Sequence, residues 1–189
     1  MSERVLIGGI GNVLLGDDAV GPFVIRLLES EYRFPDHVEI ADLGTPALDL
    51  THRIAGLHAA ILVDCIASDE HPPGTIVLFR KGDILRIQPA QRLDPHSPAL
   101  SECLMTADML GASPKHLLLV GIVGQHFDPG QTLTTAVEQA GASAVREILV
   151  ELEEKLNILF VKREPVLAPE VWWSERFRNP STRNSQLES

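Results

Sequence analysis

At 189 residues, 44% apolar and 22% charged, the chain has the length of one globular domain able to bury a full core without disulfides or a structural metal. A formal net charge of −10 sets its surface against phosphate backbones and anionic lipid, so nucleic-acid and anionic-membrane binding are not expected. The early apolar run, Val5 to Ile10, is too short and glycine-broken for a signal peptide or a membrane span; Cys65 and Cys103 read as reduced core thiols of a cytoplasmic protein.

Strand and helix signals alternate along the chain, which predicts an α/β sandwich: a twisted, mostly parallel sheet with helices on both faces. The first strand is expected at Val5–Gly8, followed by a glycine-rich turn and a helix from about Asp18 to Tyr32. That helix has Val20, Val24, Leu27 and Leu28 on one face, and Pro35 ends it. A second strand at Val38–Ala41 leads to the turn Asp42-Leu43-Gly44-Thr45, with Pro46 at the first position of a short helix over Ala47–Ala55. The third strand, Ala59–Val63, is apolar on both faces, so it belongs at the centre of the sheet, and it closes on Asp64.

A loop from Ser68 to Gly74 precedes an edge strand at Thr75–Phe79. Residues Arg80 to Pro98 show no usable periodicity and read as a long loop with one turn; loops of that length inside a domain are usually functional or disordered. Ser97 is a good N-cap for a helix over Pro98–Leu110, whose apolar side holds Leu100, Leu104, Ala107 and one of Met105 or Met109. Leu117–Ile122 is another buried strand, and the longest helix is expected from Thr134 to Asn157. The domain is placed at residues 1–160. Residues 161–189, with Trp172 and Trp173, read as a tail that docks on the domain or on a partner and whose last ten residues are disordered.

Open α/β sheets bind ligands beyond the carboxyl ends of their strands. This chain puts Asp17 and Asp18 after strand one, Asp42 after strand two and Asp64 after strand three, with His96 on the long loop. Carboxylates with an imidazole suit a borderline divalent metal such as nickel, zinc or iron(II), and equally suit general acid–base work. Each residue also has a structural reading. Asp17 and Asp18 fit a helix N-terminus, Asp42 an Asx turn with Gly44, and His96 a surface or capping position; His37, His52, His58, His71, His116 and His126 are read as surface residues. Asp64 resists dismissal, because an acid closing so hydrophobic a strand needs a partner. Cys65, its neighbour, points to the opposite face of the strand. A dinucleotide site is the rival reading of Gly9-Ile10-Gly11. Leu14 stands where the third glycine belongs, however, and Asp17 and Asp18 would face the pyrophosphate.

Several collinear blocks then share one resemblance: Gly9-x-Gly11-Asn12-x-Leu14-x-Gly16-Asp17-Asp18-x-x-Gly21, Asp42-x-Gly44-Thr45, Val63-Asp64, Pro72-Pro73-Gly74-Thr75, His96-x-x-x-Leu100 and Leu119-Val120-Gly121-Ile122. Over about residues 4 to 155 the chain resembles the hydrogenase maturation proteases, endopeptidases that remove a C-terminal extension from the nickel-loaded large subunit of [NiFe]-hydrogenases. The resemblance implies a phosphorylase/hydrolase-like fold and a peptidase of aspartic or metal-dependent type. It also implies metal binding by Asp18, Asp64 and His96, with nickel delivered in the precursor that is the expected partner of a monomeric protease. The turns holding Gly9, Gly11, Asn12, Asp42, Gly44 and Thr45 would line the approach of the peptide. The chain departs from the pattern in places. Asp18 stands where Glu is frequent, which draws the metal closer to the backbone; Ala19 stands where Gly is common, and Leu43 replaces the first Gly of a frequent Asp-Gly-Gly-Thr. A non-proteolytic, precursor-binding chaperone on the same fold would need the same grip.

Overall fold

The computed structural model describes residues 3–46, 49–86 and 97–173. In chain order the elements are β1 (Val5–Ile10), a 3-10 turn (Gly16–Ala19), α1 (Val20–Glu31), β2 (Tyr32–Arg33), β3 (Val38–Gly44), α2 (Asp49–Ile54) and β4 (Ala59–Ile66). They continue with β5 (Ile76–Arg80), α3 (Lys81–Ile84), α4 (Ser97–Met109), β6 (His116–Val123), α5 (Thr135–Val150), a π-helical turn (Glu151–Lys155) and β7 (Val161–Lys162).

Five strands form one sheet in the order β3-β1-β4-β6-β5. The first four are parallel, and β5 runs antiparallel to β6 at the edge. Alternation along the strands sorts the core into two layers. Val5 and Ile7, Ile61 and Val63, and Val120 and Ile122 face α1 and α5. Leu6, Ala60, Leu62, Leu117 and Leu119 face α2, α3 and α4. This is the expected sandwich. β4 is buried along its whole length, as a central strand covered on both faces must be. Cys65 lies in the first layer and Cys103 in the second, so the sheet stands between the two thiols.

Local departures from the expected elements have identifiable causes. α1 begins at Val20, and a 3-10 turn carries both Asp17 and Asp18. The segment after β5 forms the short helix α3, at whose start the Arg80 amide donates to Asp83 Oδ2 at 2.9 Å. Cys103 takes the inward position on α4 that was expected for a methionine, and Met105 and Met109 are exposed. The last helix does not run unbroken to Asn157. It loosens into a π-turn at Glu151, whose buried carboxylate receives both guanidinium nitrogens of Arg80, with Nη2 to Oε2 at 2.9 Å. That hydrogen-bonded carboxylate raises the Arg80 pKa above its ordinary value.

Beyond the sheet the chain doubles back along α1. β7 pairs with β2, Arg163 Nε donates to the carbonyls of Glu29 and Tyr32 at 2.8 and 3.0 Å, and the Leu167 amide donates to Ser30 at 3.0 Å. The strap finishes with Trp173 buried against Ala19 and Phe23, at the other end of the helix. The last ten residues, expected to be disordered, lie outside the described residues. Among the described residues no helix is long and apolar enough to cross a membrane.

Candidate active site

The site is built at the carboxyl end of the sheet, where β1 and β4 part. β1 accompanies β4 only as far as the pair Gly9↔Val63, whereas β6 stays paired with β4 through Asp64↔Gly121 to Ile66. β4 therefore runs past Asp64 instead of ending there, and Asp64 has lost its β1 neighbour. The start of α1 is driven into this gap. A Cβ on Gly21 would stand 2.1 Å from the carbonyl oxygen of Ile10 and 2.7 Å from that of Val63. Only glycine admits that approach, and it brings the Gly16–Ala19 turn to the same sheet end as Asp64.

The two acids of that turn diverge. In a 3-10 turn successive side chains are about 120° apart, so adjacent residues cannot point into one place. Asp18 turns back on the glycine loop, where its Oδ2 accepts the Asn12 amide at 2.8 Å. Gly11, with φ at +141°, packs so tightly there that a Cβ would come within 1.9 Å of the Asp18 carbonyl oxygen. Asp17 points the other way and is fully buried. Its carboxylate accepts the amides of Gln125, His126 and Thr134 at 2.9, 3.1 and 2.7 Å and the Thr134 hydroxyl at 3.2 Å. The Asp17 amide donates in turn to the His126 carbonyl at 2.8 Å. Asp17 does not cap its own helix, the structural role first assigned to it; it bolts the β1–α1 turn to the loop that opens α5. Two adjacent acids at a strand end were the sequence signal that only one of them could face a site.

Asp64 is also buried, and its Oδ1 accepts the neighbouring Cys65 amide at 2.9 Å. By strand parity its side chain is on the face of Ala60 and Leu62, the face covered by α4. The short link from α4 into β6 fixes the C-terminal end of α4 at the opposite edge of the sheet, so Ser97 begins α4 at the edge where β4 and β6 emerge. His96, the residue just before it, lies outside the described residues. Among the described residues no group of three His, Cys, Asp or Glu side chains could hold a metal ion. Asp18 and Asp64 supply two carboxylates at this end, and an imidazole beside them would complete a donor set suited to a borderline divalent ion.

Asp42 stands one strand further out. Its Oδ1 accepts the Gly44 amide at 3.0 Å, which is the Asx turn, and its Oδ2 lies 3.8 Å from a guanidinium nitrogen of Arg26. Gly44 then accepts the Gly11 amide at 2.8 Å, tying the second turn to the first, and Thr45 is exposed just beyond. The side chain of Asn12 accepts the Leu14 amide at 3.0 Å. With the Leu15, Asp17 and Asp18 amides also donated to carbonyls of the chain, most donors of the glycine turn are already taken. A pyrophosphate cradle needs those donors, so the geometry does not serve a dinucleotide.

A family model described as hydrogenase maturation protease matches residues 22–151 of the chain. The hydrogenase 2 maturation protease of Escherichia coli (strain K12) is 34% identical over 163 residues, which is 86% of this chain and 98% of that protein. The solved structure of the hydrogenase maturating endopeptidase HybD from E. coli superimposes with a TM-score of 0.77 at 32% identity, covering 86% of this chain and 99% of that one. The [NiFe] hydrogenase maturation protease HybD from Thermococcus kodakarensis gives a TM-score of 0.63 at 27% identity over 79% of this chain and 98% of its own.

Proposed function

The chain belongs to the hydrogenase maturation protease family, and from that membership we propose that it cuts the C-terminal extension from the nickel-loaded large-subunit precursor of a [NiFe]-hydrogenase. In this reading nickel is part of the substrate. Asp18, Asp64 and His96 grip it as it sits in the precursor, and the grip sets the scissile peptide against the sheet end. Holding the peptide in a reactive geometry is itself a large part of the rate gain.

The observation that supports this reading best is the pair Asp18 and Asp64. Both are buried at the end of the sheet that takes ligands in open α/β folds, on elements wedged together at Gly21. Each accepts a backbone amide, from Asn12 and Cys65 respectively, which fixes its carboxylate at the sheet end. The outer rim of the Gly11–Asn12 and Asp42–Thr45 turns then lies along the path of the peptide.

The direct test incubates nickel-loaded precursors with this protein and weighs the products. Loss of a C-terminal fragment from one of them is expected. A precursor that binds yet keeps its full mass, for every cognate candidate, would replace the protease with a precursor-binding chaperone.

A further inference from the structure

A cavity of about 400 Å³ opens beside the acid-bearing turn, in the range of small-ligand pockets. Gly16 and Ala19, which bracket Asp17 and Asp18, form part of its wall. The rest of its apolar lining comes from three directions: Phe23 and Leu27 of α1, Leu133 ahead of α5, and Val171 and Trp173 of the C-terminal strap. Glu138 stands at the lining from the first turn of α5. It is exposed and makes no ion pair among the described residues.

We propose that this cavity selects the precursor, taking an apolar side chain that has a lysine or arginine beside it. The proposal rests on the endopeptidase reading for the identity of the partner. Its chemistry comes from the pocket itself. The apolar walls reward burial of a hydrocarbon side chain, and a carboxylate with no partner of its own favours a cation next to it. Gly16 and Ala19 put the cavity against the turn that carries Asp18, on the side to which Asp17 points. One wall is Pro169, Val171 and Trp173, which lie beyond residues 22–151 that the family model matches. A wall built outside the shared region suits choice among precursors rather than the shared chemistry.

Steady-state cutting of the preferred nickel-loaded precursor by the full-length protein tests this, with Glu138→Lys and Thr132→Trp as variants. Glu138→Lys reverses the charge on an exposed residue, and Thr132→Trp fills the cavity. Each is expected to raise KM about tenfold while kcat stays within about twofold, the signature of lost ground-state binding. An unchanged KM for Glu138→Lys, or a fall in kcat alone, overturns the proposal; should Thr132→Trp fail to fold, Glu138→Lys decides. If the wild type cuts no precursor, the endopeptidase reading fails by itself. Interferometry with the same precursors then decides the pocket separately: about tenfold weaker binding by Glu138→Lys sustains it, and equal binding overturns it.

Discussion

The carboxylate of Asp17 accepts the backbone amide of Thr134 at 2.7 Å, a contact between residues 117 positions apart. Every described hydrogen bond to this side chain comes from a donor in the loop before α5 or at its N-cap. Asp17→Asn would set an amide NH₂ against those N–H groups and leave buried donors unmatched. A loss of about 3 kcal/mol is expected, typical for hydrogen bonds to a buried charge. Urea unfolding should show a lower midpoint with the slope unchanged; an unaltered midpoint would refute the bolt.

Asp18→Asn and Asp64→Asn should behave differently from Asp17→Asn. The amide oxygen of asparagine can still accept from Asn12 or Cys65, so both variants should stay folded. Cutting should fall by about a hundredfold or more, because the charge is gone. Thermal melts beside mass spectrometry of the precursor separate the two effects. If Asp64→Asn unfolds, Asp64 is a structural residue.

Two glycines of neighbouring turns make a controlled pair. In Gly11→Ala the new methyl would meet the Asp18 carbonyl oxygen at 1.9 Å, so the turn must move and carry Asp18 with it. Loss of several kcal/mol and of cutting is expected together, as for overpacking a tight core site (about 1–3 kcal/mol) with a disfavoured φ added. Gly44 has φ at +57° but nothing within 4 Å of the added methyl. Gly44→Ala should cost only about 1 kcal/mol, the ordinary penalty for a left-handed residue. Equal melting points for the two variants would contradict this geometry.

The proposal that nickel arrives with the substrate predicts an asymmetric requirement. Stripping the protease with a chelator, then removing the chelator, should leave cutting of a nickel-loaded precursor unchanged. A precursor assembled without nickel should remain full length. Restoration of activity by metal added to a stripped protease would place the ion on the enzyme instead.

The sheet was legible in the sequence because its cause is local. Uninterrupted apolar strands such as Ala59–Val63 leave few alternatives, and the stripe Val137, Val145, Ile148 and Leu152 does face the core. Asp64 stood out because an acid in so apolar a run needs a partner, although β4 continues past it to Ile66; only the family resemblance set Asp18 apart from Asp17. The role of Asp17 was hidden, since its partners lie more than a hundred residues away and all but the Thr134 hydroxyl are backbone amides that carry no sequence signal. The π-turn was equally hidden. Glu151 continues the helical pattern, and its pairing with Arg80 spans 71 positions. α3 is too short for periodicity to reveal, and β2 with β7 is a two-residue pairing that any propensity scale overlooks.

The strap along α1 has a consequence for how the protein is made. A domain generally folds as a unit as the chain leaves the ribosome. Here the turn bearing Asp18 is synthesised among the first twenty residues, yet it is steadied by residues 125–134 through Asp17 and walled by Trp173. A nascent chain that has released only β1, α1 and β4 therefore carries both acids without the residues that surround them. The surroundings of the turn are complete only once the chain through Trp173 has been made and reaches back to the first helix.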